Sequence, residues 1–297
     1  MAYEITLLTI IGINLILALS LNLITGFCGQ ISLGHAAFYG TGAYCAAILT
    51  KAGLPFPPAL LAGGVVAGLL GLIVGLTSLR VREDFLAITT MGVGFLFLGF
   101  VRKQSWLGGE LGVSGIPAPG LSDLGYMVLA IGIAAAVALF SLYVRRSWMG
   151  FAFDAVADDE DTARVIGIGV AGYKLTAFAL GTALAGIAGG LYAHYARIIV
   201  PDTFGFTLSV TILAMVVVGG IGSTWGVIVA TVLLSLMPEL FRFVNDYKLL
   251  LFGGLLLLTM RFSPGGLAGL TRETWHRLRR NQGRNREQVD DGTAARS

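Results

Sequence analysis

Forty-six consecutive residues, 5–50, contain no Asp, Glu, Lys or Arg. A helix needs about 20 apolar residues to cross the hydrocarbon of a bilayer, so this run is long enough for two crossings. Charged residues make up 12% of the chain, hydrophobic residues 56%, and the mean hydropathy is +0.81. A soluble domain carries roughly 25% charged residues. The chain therefore reads as an all-α, polytopic integral membrane protein. The opening MAYEITLL has no basic region ahead of the apolar run, so a cleaved signal peptide is not expected. Cys28 and Cys45 both fall inside the uncharged run and read as small apolar fillers.

Further apolar segments follow at 57–79, 85–101, 124–144, 175–193, 203–238 and 249–260. The first run divides at GFCGQIS and the 203–238 run at GGIGSTWG, which gives about eight or nine transmembrane or re-entrant segments. These two glycine interruptions, one in each half, point to an internal repeat and a pathway near the membrane midplane. Gly64 and Gly68, Gly71 and Gly75, and Gly186 and Gly190 are each four apart, which lets helix backbones approach closely. Residues 1–265 form the expected transmembrane domain. Residues 266–297 form a basic tail, partly disordered, whose TRETWHRLRR segment suits anionic lipid.

The longest polar interruption is 145–174, RRSWMGFAFDAVADDEDTARVIGIGVAGYK. Asp158 is placed to cap a short helix whose next residues, Asp159, Glu160 and Asp161, lie at its positive end. Glu160 and Arg164 are four apart, a surface pair worth only ~0.5 kcal/mol, and Gly167 fits a left-handed stop. A stiff, capped helix between two spans reads as a docking surface; the alternative is a solvated loop helix. With this stretch inside and nine alternating segments, Arg80, Arg82, Arg145, Arg146, Arg164, Lys174 and the arginines from Arg261 onward share one side. Lys51, Arg102, Lys103, Arg197, Arg242 and Lys248 fall on the other.

No Asp, Glu, Lys or Arg lies within the predicted spans, whereas ion-coupled carriers usually keep an intramembrane relay. His35 is the only histidine deep in an apolar segment. It reads either as a side chain bonded to a neighbouring helix or as a group beside a solute path. Metal-ligand clusters, nucleophile elbows and phosphate-binding lysines are missing from the sequence. Catalytic residues, cofactors, metals and nucleic acid partners are therefore not expected.

GQISLGHAAFYGTGAY (29–44), RSWMGFAFDAVADDEDTARVIGIGVAGYKLTAFALGTALAGIAGGLYA (146–193) and VVVGGIGSTWGVIVA (216–230) resemble the permease subunits of bacterial ABC importers for branched-chain amino acids. GGELGVSGIPAP (108–119) is similar to the external loop of the M-type permease, and the resemblance covers most of residues 8–265. It departs at Ala157, where the family often has an arginine before the acidic run. The resemblance implies a multi-pass protein of the bacterial inner membrane, paired with an H-type permease. It also implies two cytoplasmic ATP-binding subunits and an extracytoplasmic solute-binding protein. Relatives of this kind also carry urea, short amides or other amino acids. On this reading Asp158 to Gly167 is a coupling helix in an ATPase cleft, with Ala163, Val165 and Ile166 giving apolar contact. Ser32, His35, Gly220, Gly222 and Ser223 are expected to face a solvated cavity.

Overall fold

A computed structural model describes residues 2–78, 83–240, 248–262, 265–267 and 269. The readings for Arg80, Arg82, Arg242 and the tail from 270 onward lie outside the described residues. In lipid a backbone can satisfy its own polar groups only as helix or closed barrel, and the apolar runs all become helices. α1 is Ala2–Leu21, continued by a π-helical turn at Asn22–Phe27. α2 is His35–Lys51, α3 Phe56–Ser78, α4 Glu83–Lys103 and α5 Asp123–Arg146. α6 (Trp148–Asp158) and α7 (Glu160–Val165) are short, and α8 is the long Val170–Ala196. α9 (Phe206–Gly219), α10 (Thr224–Leu240) and α11 (Lys248–Phe262) complete the set. Six segments are long and apolar enough to cross a membrane: 3–27, Phe56–Thr77, Phe85–Lys103, Asp123–Arg146, Val170–Ala196 and Pro201–Gly219. Among the described residues one shorter apolar segment, Thr224–Met237 of α10, adds to these, and α2 and α11 are helices of 17 and 15 residues.

The bundle centres on α8, which packs against α1, α2 and α3. The glycine stripes explain the closeness. A β-carbon added at Gly42 would fall on the backbone of Gly186, and one at Gly189 on the Tyr39 carbonyl. Gly64, Gly68 and Gly71 of α3 face Ile187, Ala183 and Thr182 of α8. Gly189→Ala must therefore push α2 and α8 apart, at about 1–3 kcal/mol. Gly68→Ala meets the Ala183 methyl at 3.1 Å and the Ala179 carbonyl at 3.4 Å, which a shift of a few tenths of an ångström relieves, so it should cost much less. Thermal stability of the two variants in detergent checks this; equal midpoints would contradict the close crossing.

One end of the bundle carries β1 (Val113–Ser114) paired antiparallel with β2 (Ile198–Ile199), the Lys51–Ser114 contact and the Arg102–Asp202 ion pair. The other end carries α6 and α7. Arg145, Arg146, Arg164 and Lys174 thus share one end, and Lys51, Arg102, Lys103 and Arg197 the other, as the alternation of segments requires.

Candidate functional site

The polar stretch folds as two helices and the start of a third. Met149, Ala152, Phe153 and Val156 recur at helical spacing, so α6 runs on through Asp158 and turns Phe153 and Val156 into a small core with Phe27, Val144 and Val170. The cap of α7 is therefore Asp159, one residue later than the sequence reading placed it: its Oδ1 accepts the Thr162 N–H at 2.6 Å. Asp158 is instead the last residue of α6. Glu160 and Asp161 occupy the first turn of α7, and Arg164 bonds both, at 2.9 Å and 2.5 Å. Gly167 has φ +88° with open space around it, the expected left-handed stop. The hydrogen bond from the Thr162 amide holds the Asp159 carboxyl below its ordinary value of 3.8. A depressed carboxylate stabilises the fold above its unfolded pKa and loses that contribution as pH falls through the folded one. Hydrogen-exchange protection of the Thr162 amide should then be level from neutral pH to about pH 5 and weaken below the ordinary carboxylate range. Protection unchanged at acid pH would show that the carboxylate is not the cap.

Two further expectations change. Ala163 is buried against its own chain and cannot offer apolar contact to another subunit, because α7 rests that face on the α6–α8 core. Val165 and Ile166 are 87% and 67% exposed and remain the apolar pair presented outward. Glu160 also does more than pair with Arg164. It forms an ion pair with Lys174 of α8, whose side chain is only 7% exposed. From there contacts run inward. The Lys174 carbonyl accepts the Gln30 side-chain N–H at 3.0 Å, and Thr25 Oγ1 donates to the Gln30 carbonyl at 2.9 Å. Gly29, at φ +73°, lies against Ala157 of α6, where a β-carbon would sit 3.2 Å from the alanine. Helix α7 is thereby fastened to the chain break after α1.

That break climbs back into the bundle. Ser20 lies seven residues before Phe27, about 10 Å along the helix, and His35 Nε2 and Ser20 Oγ are 2.7 Å apart. Residues 28–34 are therefore non-helical at membrane depth, which is tolerated only inside protein or beside water. Hydroxyls of distant helices satisfy the amides there: Leu33 N–H donates to Thr90 Oγ1 at 3.0 Å and Ala36 N–H to Ser209 Oγ at 3.1 Å. The second bond sets the start of α2 against the start of α9, both inside the bundle.

The two glycine interruptions do meet, but not at mid-depth. Gly222 N–H donates to Asn22 Oδ1 at 3.0 Å, and Arg145 at the end of α5 donates to the Gly222 carbonyl. Gly26 must be glycine here, since a β-carbon would fall on the Asn22 side chain and 2.6 Å from the Gly222 nitrogen. The 219–226 interruption lies at the α6–α7 end because α9 starts deep, behind Phe204 packed on Tyr39 and Tyr44. Its 14 residues then reach the far face at about 1.5 Å each. Gly220 (φ +106°) and Gly222 (φ +78°) make the turn, and Ser223 Oγ caps α10 through the Gly226 N–H. Ser32 and His35 are fully buried, Gly220 and Gly222 are buried and Ser223 is half-buried. Neighbouring helices of this chain pack over these residues and shield them from solvent. Ser32 Oγ, His35 Nδ1, Asn22 Nδ2 and Gln30 Oε1 are buried without a hydrogen-bond partner. The sequence reading does not single out Asn22 or Gln30; amide side chains inside an uncharged run are the available signal.

An all-α bundle of apolar spans, with an irregular polar break in its interior and a tethered helix at one end, is the architecture of a polytopic membrane protein. The family comparison gives the particular kind. Residues 4–260 match the model described as branched-chain amino acid transport system / permease component, and the chain belongs to that family. It is 35% identical to the high-affinity branched-chain amino acid transport system permease protein LivM of Escherichia coli (strain K12), over 89% of this chain and 69% of the relative. The LivM protein of Salmonella typhimurium gives the same figures. The LivH permease of Escherichia coli (strain K12) is 25% identical over 86% of this chain and 90% of its own. No solved structure matches the chain.

Proposed function

We propose that this chain is the M-type permease subunit of an ATP-driven ABC importer for branched-chain amino acids in the bacterial inner membrane. It forms the translocation pathway with an H-type permease. An extracytoplasmic binding protein delivers solute, and two cytoplasmic ATP-binding subunits drive the cycle from the α6–α7 end. The protein itself supplies no catalytic group. The observation that carries this reading is the tether from α7 through Glu160, Lys174 and Gln30 to the break at 28–34. A helix fastened this way moves the break when it is pushed, which is how closure of an ATPase pair becomes opening of a path. The path runs by the starts of α2 and α9, whose amide ends face the bundle interior and favour a solute carboxylate.

Uptake of leucine and of urea, measured in a strain lacking this gene and again after its return, tests the solute. Restored leucine uptake with urea unchanged is expected; restoration of urea alone would move the chain to the amide-carrying branch. The path is tested by cysteines at 32, 35 and 223 in the assembled transporter. A small water-soluble thiol reagent should leave Ser32→Cys and His35→Cys untouched at rest and modify them during ATP turnover. Inertness of both under turnover would remove the path from this break.

A further inference from the structure

Helices α2, α3 and α4 part to leave a cavity of about 630 Å3, walled by Tyr44, Cys45, Leu70, Val93 and Phe97 among others. At the end away from α6 and α7 it meets a second cavity of about 300 Å3, lined by Lys51, Ser105, Trp106 and Ser114; Ile48 and Trp106 belong to both. The pair is apolar at membrane depth and cationic at its rim. We propose that it is a phospholipid site, with acyl chain in the groove and an anionic headgroup at Lys51. This assignment is independent of what the transporter carries.

The lining selects the occupant. The walls, which run about 12 Å along α4 from Val93 to Val101, are almost wholly apolar up to a rim that carries a lysine ammonium and an indole. A hydrocarbon chain conforms to such walls, and a molecule with an anionic head joined to an apolar tail matches both ends at once. The rim selects the headgroup. Lys51 Nζ donates one N–H to the Ser114 carbonyl at 3.0 Å, which fixes the ammonium over the groove and leaves two of its three donors for phosphate oxygens. Trp106 stands beside it, 63% exposed, with its indole N–H on Gln104 Oε1 at 3.2 Å. This is the amphipathic ring expected at headgroup level.

The test uses the assembled transporter in nanodiscs of phosphatidylcholine and phosphatidylglycerol, with a trace of either lipid carrying a photoreactive acyl chain. Crosslinked peptides are mapped by mass spectrometry. The photoreactive lipid should label the α2 and α4 walls, residues 41–49 and 93–101, above all other spans. Val93→Trp, which fills the groove, should lower that labelling at least fivefold at unchanged thermal stability. Lys51→Gln should reduce the preference for phosphatidylglycerol over phosphatidylcholine about fivefold, the worth of one lysine near a lipid surface. Labelling spread evenly over all lipid-facing helices, or unaffected by Val93→Trp, would overturn the site. An unchanged lipid preference in Lys51→Gln would overturn the headgroup assignment. A disulfide formed from Cys45 to a cysteine in a partner's span would give the groove to that helix instead.

Discussion

Glu160→Ala should be the most damaging single substitution at the α6–α7 end, reducing uptake by well over tenfold. The sequence reading makes Glu160 half of a surface pair with Arg164 whose joint removal is mild, and the structure reverses this. Its carboxylate faces the Lys174 ammonium, and the two side chains are 20% and 7% exposed. Removing one member of a buried ion pair costs about 3–5 kcal/mol, because the other charge has been taken from water. The partial exposure of Glu160 favours the lower figure, about 3 kcal/mol. That is several times what the Arg164 contact contributes, and it falls on the only charged tie between α7 and α8 described here. Hydrogen exchange over residues 160–168 should speed up in step with the loss of uptake. Glu160→Leu with Lys174→Met removes both charges and should recover the exchange protection, since an apolar pair of similar volume is often neutral. Whether uptake recovers with it separates stiffness from charge. Normal exchange and normal uptake in Glu160→Ala would end the case for the tether.

Val165→Asp with Ile166→Asp should abolish coupling while leaving the chain folded and inserted. Both side chains point outward, so their replacement costs the isolated protein little, yet a partner's apolar cleft would have to bury two carboxylates. ATP hydrolysis stimulated by loaded binding protein, in reconstituted vesicles, should drop to the basal rate. Gly167→Val is the companion test of stiffness. A β-carbon added at that glycine meets nothing within 4 Å, so the variant suffers chiefly from its φ of +88°, a strain of about 1–3 kcal/mol. It should therefore be intermediate. Ala163→Glu is a poor probe, because it would disrupt the α6–α8 core before touching any partner. Stimulation at the normal level in the double aspartate variant would return α7 to a solvated loop.

What the sequence made legible and what it hid divide by range. The span at 57–79 is observed as Phe56–Ser78, because hydropathy acts over one helix length. Gly167 and the stripe at Gly64, Gly68 and Gly71 were readable too, since backbone sign and helix-face spacing are local. The cap moved from Asp158 to Asp159 because four acids in a row all suit a cap, and the end of α6 decides among them. Glu160–Lys174 joins two helices, and Asn22–Gly222 joins residues 200 apart. A single sequence carries no signal for such pairings. Ser223 illustrates the remaining ambiguity: a serine after glycines can line a path or cap a helix, and here it caps α10.

The hydroxyls of Thr90 and Ser209 that receive the amides of Leu33 and Ala36 also bear on how the chain is made. When residues 1–51 leave the ribosome, neither hydroxyl yet exists. The backbone at 28–34 must then stay hydrated or wait at the membrane surface, since bare amides in hydrocarbon cost several kcal/mol each. Biogenesis of α2 is thus completed only when α9 arrives, roughly 170 residues and about 10–35 seconds of synthesis later at elongation rates of about 5–20 residues per second. The hairpin of α1 and α2 is translated well before α9 and is among the last parts of the bundle to settle.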